Sequence, residues 1–169
     1  MPEGPEVRLD AEFLDFALSN RYLNDIAYNT DLFCNKCKGI EELKQHLPLK
    51  FVWVRSREKK LFFCLTNTKD EYWYLFITYG MTGGISQEEQ EHSHIKFEIS
   101  SCWIGFNTIY YHDPRRLGSF EASNDPKIYQ KHVTDMGKPF AFGYDDEYFK
   151  VITEEEFKTN IKKDRKSVV

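Results

Sequence analysis

Five runs of aromatic and β-branched residues, at 51–54, 61–65, 72–78, 95–99 and 103–111, constrain this chain more than any other feature. Such residues suit a pleated, half-buried surface. The breaks between them are turn formers: Asn67-Thr68-Lys69-Asp70, the stretch from Gly80 to Gly84, and the stretch from Ser86 to His92. Strands this short and this closely spaced predict antiparallel pairing in a β-sandwich or flattened barrel. Aromatics make up 16% of the 169 residues, which supplies a real core and excludes a disordered chain.

Helical periodicity flanks the strands. Over residues 5–19, Val7, Ala11, Leu14 and Leu18 recur at helical spacing, and Leu9, Phe13 and Phe16 widen the apolar stripe. A stripe this broad predicts packing on the sheet. A short helix is expected at 41–46, ahead of the first run. Past Gly118 the pattern turns helical: Asp125-Pro126 is a cap and first-turn proline, Ile128, Tyr129, Val133 and Met136 form the apolar face, and Gly137 is the stop. Residues 138–151 read as an irregular connector. Thr153-Glu154-Glu155-Glu156 is a capping box that opens a helix carrying Phe157 and Ile161, with no stop signal before Val169. The fold class is therefore α+β, with residues 1–150 as one domain and 151–169 as the start of a further helical segment.

Net charge is −4, a mild counter-indication for nucleic acid, but the sign is uneven. Arg55, Arg57, Lys59 and Lys60 cluster, as do Arg115 and Arg116, so a local basic face is available to phosphates. No apolar run is long enough to cross a bilayer, and no basic-then-apolar leader opens the chain. An intracellular protein that keeps its own N-terminus is expected. Of the cysteines, Cys34-Asn35-Lys36-Cys37 forms a CxxC with no second ligand pair, and Cys64 and Cys102 sit in strand-like runs. Packed thiols and a plain turn fit better than a metal site.

The chain begins Met1-Pro2-Glu3-Gly4-Pro5-Glu6-Val7. Removal of Met1 leaves a proline secondary amine with a carboxylate directly after it. Such an amine attacks a sugar carbon at the aldehyde oxidation level and forms an iminium ion, a strong electron sink, while the neighbouring Glu moves protons. The plainer reading is a helix entry, since Pro5 suits a first helical position.

The complete opening string resembles the N-terminus of the Fpg/Nei family of DNA glycosylases, and three further segments agree in order and spacing. Arg57-Glu58-Lys59-Lys60, followed by an apolar run, resembles the family's basic strand motif, in which a glycine directly precedes the lysine, with Glu58 in place of that glycine. It puts Lys59 on the catalytic lysine, with Lys60 as the alternative. Gly80-Met81-Thr82-Gly83 resembles the Gly-Met-Ser-Gly loop, whose methionine fills the gap left by an everted nucleotide. Asp113-Pro114-Arg115-Arg116-Leu117-Gly118 resembles Asp-Pro-Arg-Arg-Phe-Gly, in which the first arginine reads the unpaired base and the aromatic wedges beside it. Here Leu117 stands in the wedge position, beside Arg116. His92-Ser93-His94 resembles a His-x-His that precedes a strand, and implies that His94 donates to a DNA phosphate.

The resemblance implies a bifunctional DNA glycosylase/AP lyase of base-excision repair that acts on oxidised bases in damaged DNA, duplex or single-stranded, as a monomer. Pro2 is the implied nucleophile, Glu3 the proton donor and Glu6 a supporting carboxylate. No metal or organic cofactor is implied for this chain. Family members carry a second domain, with a helix–two-turn–helix motif and a zinc finger or zincless equivalent, beyond the point reached here, so weak activity is expected from these residues alone. The alternatives are a catalytically silent DNA-binding relative or interaction module, or an unrelated β-rich module.

Overall fold

The computed structural model describes residues 4–30, 35–101 and 105–134. Twelve elements follow in chain order: α1 (Gly4–Leu18), β1 (Tyr22–Tyr28), β2 (Cys37–Lys38), α2 (Ile40–Lys44), β3 (Leu49–Arg57), β4 (Lys60–Thr66), β5 (Tyr72–Thr78), β6 (Gly84–Ser86), β7 (Ser93–Ile99), β8 (Thr108–His112), β9 (Ser119–Ser123) and α3 (Pro126–Thr134). The strands form one sheet in the order β2-β9-β5-β4-β3-β1-β7-β8-β6. Only the short β2–β9 pairing is parallel among these ladders.

The sheet curls on itself. Phe97 of β7 and Phe120 of β9 lie five places apart in the strand order, yet their ring centroids are only 6.1 Å apart. The hydroxyl of Tyr111 in β8 likewise donates to the Thr78 carbonyl at the end of β5 (2.9 Å). The α+β fold with a flattened, sandwich-like sheet is thus the one expected.

Alternation along β4 explains the two cores. Leu61, Phe63 and Leu65 face the interior with α1, whereas Phe62 and Cys64 face outward and are covered by Tyr129 and Val133 of α3. Helix α1 buries Val7, Ala11, Leu14, Ala17 and Leu18. Burial of each of the larger of these stabilises by about 1.5–3 kcal/mol. The Asp15 carboxylate accepts the Val54 amide (2.8 Å) and pins the helix to β3.

Several sequence expectations are corrected. The α1 stripe is narrower than predicted: Leu9, Phe13 and Phe16 are exposed. The pattern past Gly118 is not helical at once, because Ser119–Ser123 forms β9 beside β5. Of the run expected at 103–111, residues 103–104 lie outside the described residues and β8 begins at Thr108. Strands β2, β6 and β9 carry too few apolar residues to stand out, and Asn24-Asp25 interrupts the apolar residues of β1. The connector at 138–151, the capping box at Thr153 and the 151–169 segment lie outside the described residues, as do Cys34 and Cys102. No described helix is long and apolar enough to cross a membrane.

Candidate active site

Pro2 and Glu3 lie outside the described residues, so the site is built outward from Gly4. A Cβ on Gly4 would sit 3.3 Å from the Glu58 carbonyl oxygen, which puts the start of α1 directly against the β3–β4 turn. That turn consists of Glu58 and Lys59. Glu58 has φ 53°, a left-handed conformation that glycine adopts readily and other residues adopt at a cost of about 1–2 kcal/mol. The glutamate that stands in place of the motif's glycine therefore falls on a position with left-handed backbone.

The two candidate lysines part here. Lys59 is half-buried in the turn beside the helix start. Lys60 opens β4 and points to the outer face, where its ammonium donates to His132 Nδ1 (2.8 Å). The His132 ring donates in turn from Nε2 to Glu121 (2.7 Å) and stacks on Phe76 at 3.9 Å between centroids. Lys60 is thereby committed to the α3 interface. Glu6 is exposed in the first turn of α1.

Met81 and Leu117 occupy two loops that pack as one body. Gly80 has φ 59°, and a Cβ there would fall 2.6 Å from the Gly118 nitrogen; a Cβ on Gly118 would fall 2.0 Å from Tyr111 Oη. Only glycine permits this approach. Asp113, fully buried, closes the pair: Oδ1 accepts from the Thr82 hydroxyl (3.0 Å), and Oδ2 accepts from the Gly118 amide (2.7 Å) and the Tyr111 hydroxyl (3.3 Å). The Thr82 hydroxyl also receives the Arg115 amide (3.3 Å). The result presents Met81 (42% exposed) and Leu117 (52% exposed) side by side, with Arg115 and Arg116 exposed next to them. The Lys36 ammonium donates to the Arg116 carbonyl and adds a third cation to this edge. In the sequence Thr82 stands out only as a member of the Gly-Met-Thr-Gly string and Lys36 only as a spacer of the CxxC, so neither of these contacts is legible there.

His94 requires a correction. Its ring is buried, with Nε2 2.8 Å from the Asp113 carbonyl oxygen and Nδ1 2.8 Å from the Thr30 hydroxyl. Donation to that carbonyl from Nε2 leaves Nδ1 to accept from Thr30. With both nitrogens engaged inside the fold, His94 steadies the Asp113 loop and is not presented to a phosphate.

A second cluster joins α1 to the Met81 loop. The buried Tyr79 hydroxyl donates to Asp10 (2.8 Å), one helical turn beyond Glu6. Asp10 borders a cleft of about 380 Å³ that also touches Phe13, Ile85 and Ile109. Burial pushes the Asp10 carboxyl above the ordinary carboxylate value; the Glu6 charge adds to the rise, while the Tyr79 bond and His112 oppose it. Burial pushes the His112 imidazole below 6.5, against the pull of Asp113 and Asp10. Burial, followed by the Asp10 charge, also pushes the Tyr79 hydroxyl far up, so it is a permanent donor. Among the described residues no three His, Cys, Asp or Glu side chains gather to hold a metal ion.

The formamidopyrimidine-DNA glycosylase N-terminal domain family matches residues 1–120. Comparison with curated protein sequences finds no match. Among solved structures, the chain is similar to an inhibited LlFpg in complex with DNA containing N7-benzyl-Fapy-dG, with TM-score 0.64 and 18% identity over 79% of this chain and 48% of that one. It is similar to the MutM (Fpg) protein of Thermus thermophilus, with TM-score 0.62 and 22% identity over 78% of this chain and 44% of that one. The wild-type Lactococcus lactis Fpg (MutM) bound to the benzylated lesion gives TM-score 0.58 and 17% identity over 79% and 56%. The chain thus spans about half the length of these structures. With the family matched over most of the chain and the fold shared with these proteins, the chain belongs to the formamidopyrimidine-DNA glycosylase N-terminal domain family.

Proposed function

We propose that this chain is the catalytic half of a bifunctional DNA glycosylase/AP lyase that removes oxidised bases. The observation that carries the reading is the abutment of the α1 start on the Glu58–Lys59 turn. Family membership over residues 1–120 supports it, as do solved relatives described in complex with lesion-containing DNA.

The chemistry follows from the residue types. The Pro2 amine attacks the sugar carbon of an everted nucleotide, the glycosidic bond breaks, and the base departs with its electron pair. Glu3 protonates the ring oxygen, the ring opens, and the proline nitrogen becomes an iminium. That cation acidifies the adjacent sugar protons, so loss of one expels the 3′ phosphate by β-elimination; δ-elimination then expels the 5′ phosphate. Water releases the amine at the end. Glu6 supports proton movement, and Lys59 holds a phosphate as a point charge. Met81 fills the vacated stack, Arg115 hydrogen-bonds the unpaired base and Leu117 wedges beside it, with Arg116 and Lys36 neutralising phosphate nearby. The amine is itself the electron sink, so the residues named need no cofactor for these steps. Such a protein works where its damaged DNA is, inside the cell, as a monomer.

Because the chain spans about half of its relatives' length, these residues alone are expected to cleave weakly. Borohydride reduction in the presence of abasic-site DNA is the test. A covalent adduct that disappears in Pro2→Ala supports the enzyme, and near-normal lesion cleavage by the 169-residue chain sinks the expectation of weakness. DNA binding without any adduct points instead to a silent DNA-binding relative. An intact mass that retains Met1 blocks the nucleophile and has the same consequence.

A further inference from the structure

We propose that the Asp10–Tyr79 hydrogen bond is a positioning contact that fixes the Met81 loop relative to the start of α1. Asp10 lies six residues beyond Gly4, about 9 Å along the helix axis at 1.5 Å per residue, so α1 links the two rigidly. Tyr79 makes two contacts in different directions. Its hydroxyl donates to the Asp10 carboxylate at 2.8 Å, and its backbone carbonyl accepts the Gly83 amide at 2.7 Å, closing the turn that displays Met81. The ring between these contacts is buried and packs 6.4 Å from Tyr111. A movement of α1 is therefore transmitted through one aromatic side chain to the turn.

The Met81 turn is held at both ends by a carboxylate. Asp113 grips Thr82 from the Arg115 loop, and Asp10 grips Tyr79 from the helix. The first contact keeps Met81 beside Leu117. The second keeps both at a set distance from Gly4 and Glu6. Asp10 and Tyr79 touch no reacting atom, so both are positioning residues. Their value lies in catalysis that requires the amine and the void-filling side chain to engage one nucleotide together. This inference rests on the reading of Met81 as the void-filling residue.

Tyr79→Phe, Asp10→Ala and Asp10→Asn separate the possibilities. Borohydride trapping is measured on abasic duplex DNA, which needs Met81 to replace the lost base, and on abasic single-stranded DNA, which does not. Hydrogen exchange at the Gly83 amide is followed without DNA. Tyr79→Phe and Asp10→Ala are expected to lower the duplex-to-single-strand trapping ratio about tenfold. Both are also expected to speed Gly83 exchange about tenfold. Asp10→Asn keeps an acceptor oxygen for Tyr79 and stays within about twofold of the parent in both measurements. A folded Tyr79→Phe with an unchanged ratio overturns the proposal, and so does an Asp10→Asn that behaves like Asp10→Ala. If the parent traps neither DNA, the enzymatic reading fails by itself; Gly83 exchange then decides alone, and unchanged protection in Tyr79→Phe overturns the positioning contact.

Discussion

The Thr82 hydroxyl donates to Asp113 Oδ1 at 3.0 Å across 31 residues of sequence, and this bond joins the Met81 turn to the Arg115 loop. The same hydroxyl oxygen accepts the Arg115 amide at 3.3 Å, so one small side chain sets the spacing of two loops. Thr82→Val keeps the shape and removes both bonds. A loss of about 1–2 kcal/mol is expected, one ordinary bond plus part of the cost of a carboxylate oxygen left short of a donor. Asp113→Ala strands the Gly118 amide as well and leaves the Tyr111 hydroxyl only the Thr78 carbonyl, and is expected to cost about 3–5 kcal/mol. Urea unfolding midpoints of the two variants check the order; equal losses would refute the account of Asp113 as the shared anchor.

Glu58 offers a gain instead of a loss. At φ 53° its side chain is held in left-handed backbone, which costs about 1–2 kcal/mol, while glycine there loses about 0.5–1 kcal/mol through the freedom of its unfolded chain. Glu58→Gly is therefore expected to raise stability by about 0.5–1 kcal/mol. The check is a higher urea midpoint with an unchanged slope. A lower midpoint would mean that the Glu58 side chain makes contacts worth more than the strain.

These two loops show what the sequence could and could not disclose. The glycines at 80, 83 and 118 and the aspartate at 113 were legible as turn chemistry, because each residue type has few other uses at such spacing. The helix over Gly4–Leu18 and the strands at Lys60–Thr66 and Tyr72–Thr78 were legible as periodicity and as unbroken apolar runs. Strand β9 was not, since Ser-Phe-Glu-Ala-Ser carries one large apolar residue, Phe120, and its pairing with β5 depends on the closure of the sheet. His94 was misread for a related reason. A histidine beside a turn looks exposed in sequence, and only the return of β8 to β7 brings the Asp113 carbonyl onto its ring. The exposed Leu9, Phe13 and Phe16 were misassigned because periodicity gives a stripe its direction but not its width.

His112 gives a pH prediction with a definite sign. Burial holds its imidazole below 6.5, so the folded chain binds fewer protons than the unfolded chain as pH falls below that value. The contribution is fully present above 6.5 and is lost as pH falls through the folded value. Stability is expected to decline as pH falls below 6.5, and His112→Gln is expected to flatten that slope. Urea midpoints of parent and variant across the range provide the check. A parallel decline in both would assign the slope to other groups.

The lysine pair makes the sharpest distinction between site and scaffold. Lys60 donates to His132, which donates to Glu121, so Lys60→Ala breaks a chain that fastens α3 to β4 and β9. Lys60→Ala is expected to cost about 1–2 kcal/mol in unfolding while altering borohydride trapping little once the protein is folded. Lys59 sits in the turn that Gly4 touches through Glu58. Lys59→Ala is expected to leave the unfolding free energy within about 0.5 kcal/mol of the parent, as for a partly exposed turn side chain. It is expected to reduce DNA trapping and cleavage about 10- to 100-fold, in line with the loss of a charge that grips phosphate at the reacting nucleotide. The two variants should thus move opposite readouts, stability for Lys60 and chemistry for Lys59. If Lys60→Ala abolishes trapping at full stability while Lys59→Ala traps normally, the roles are reversed, and the β3–β4 turn must rearrange on DNA so that the second lysine leaves His132 for the substrate.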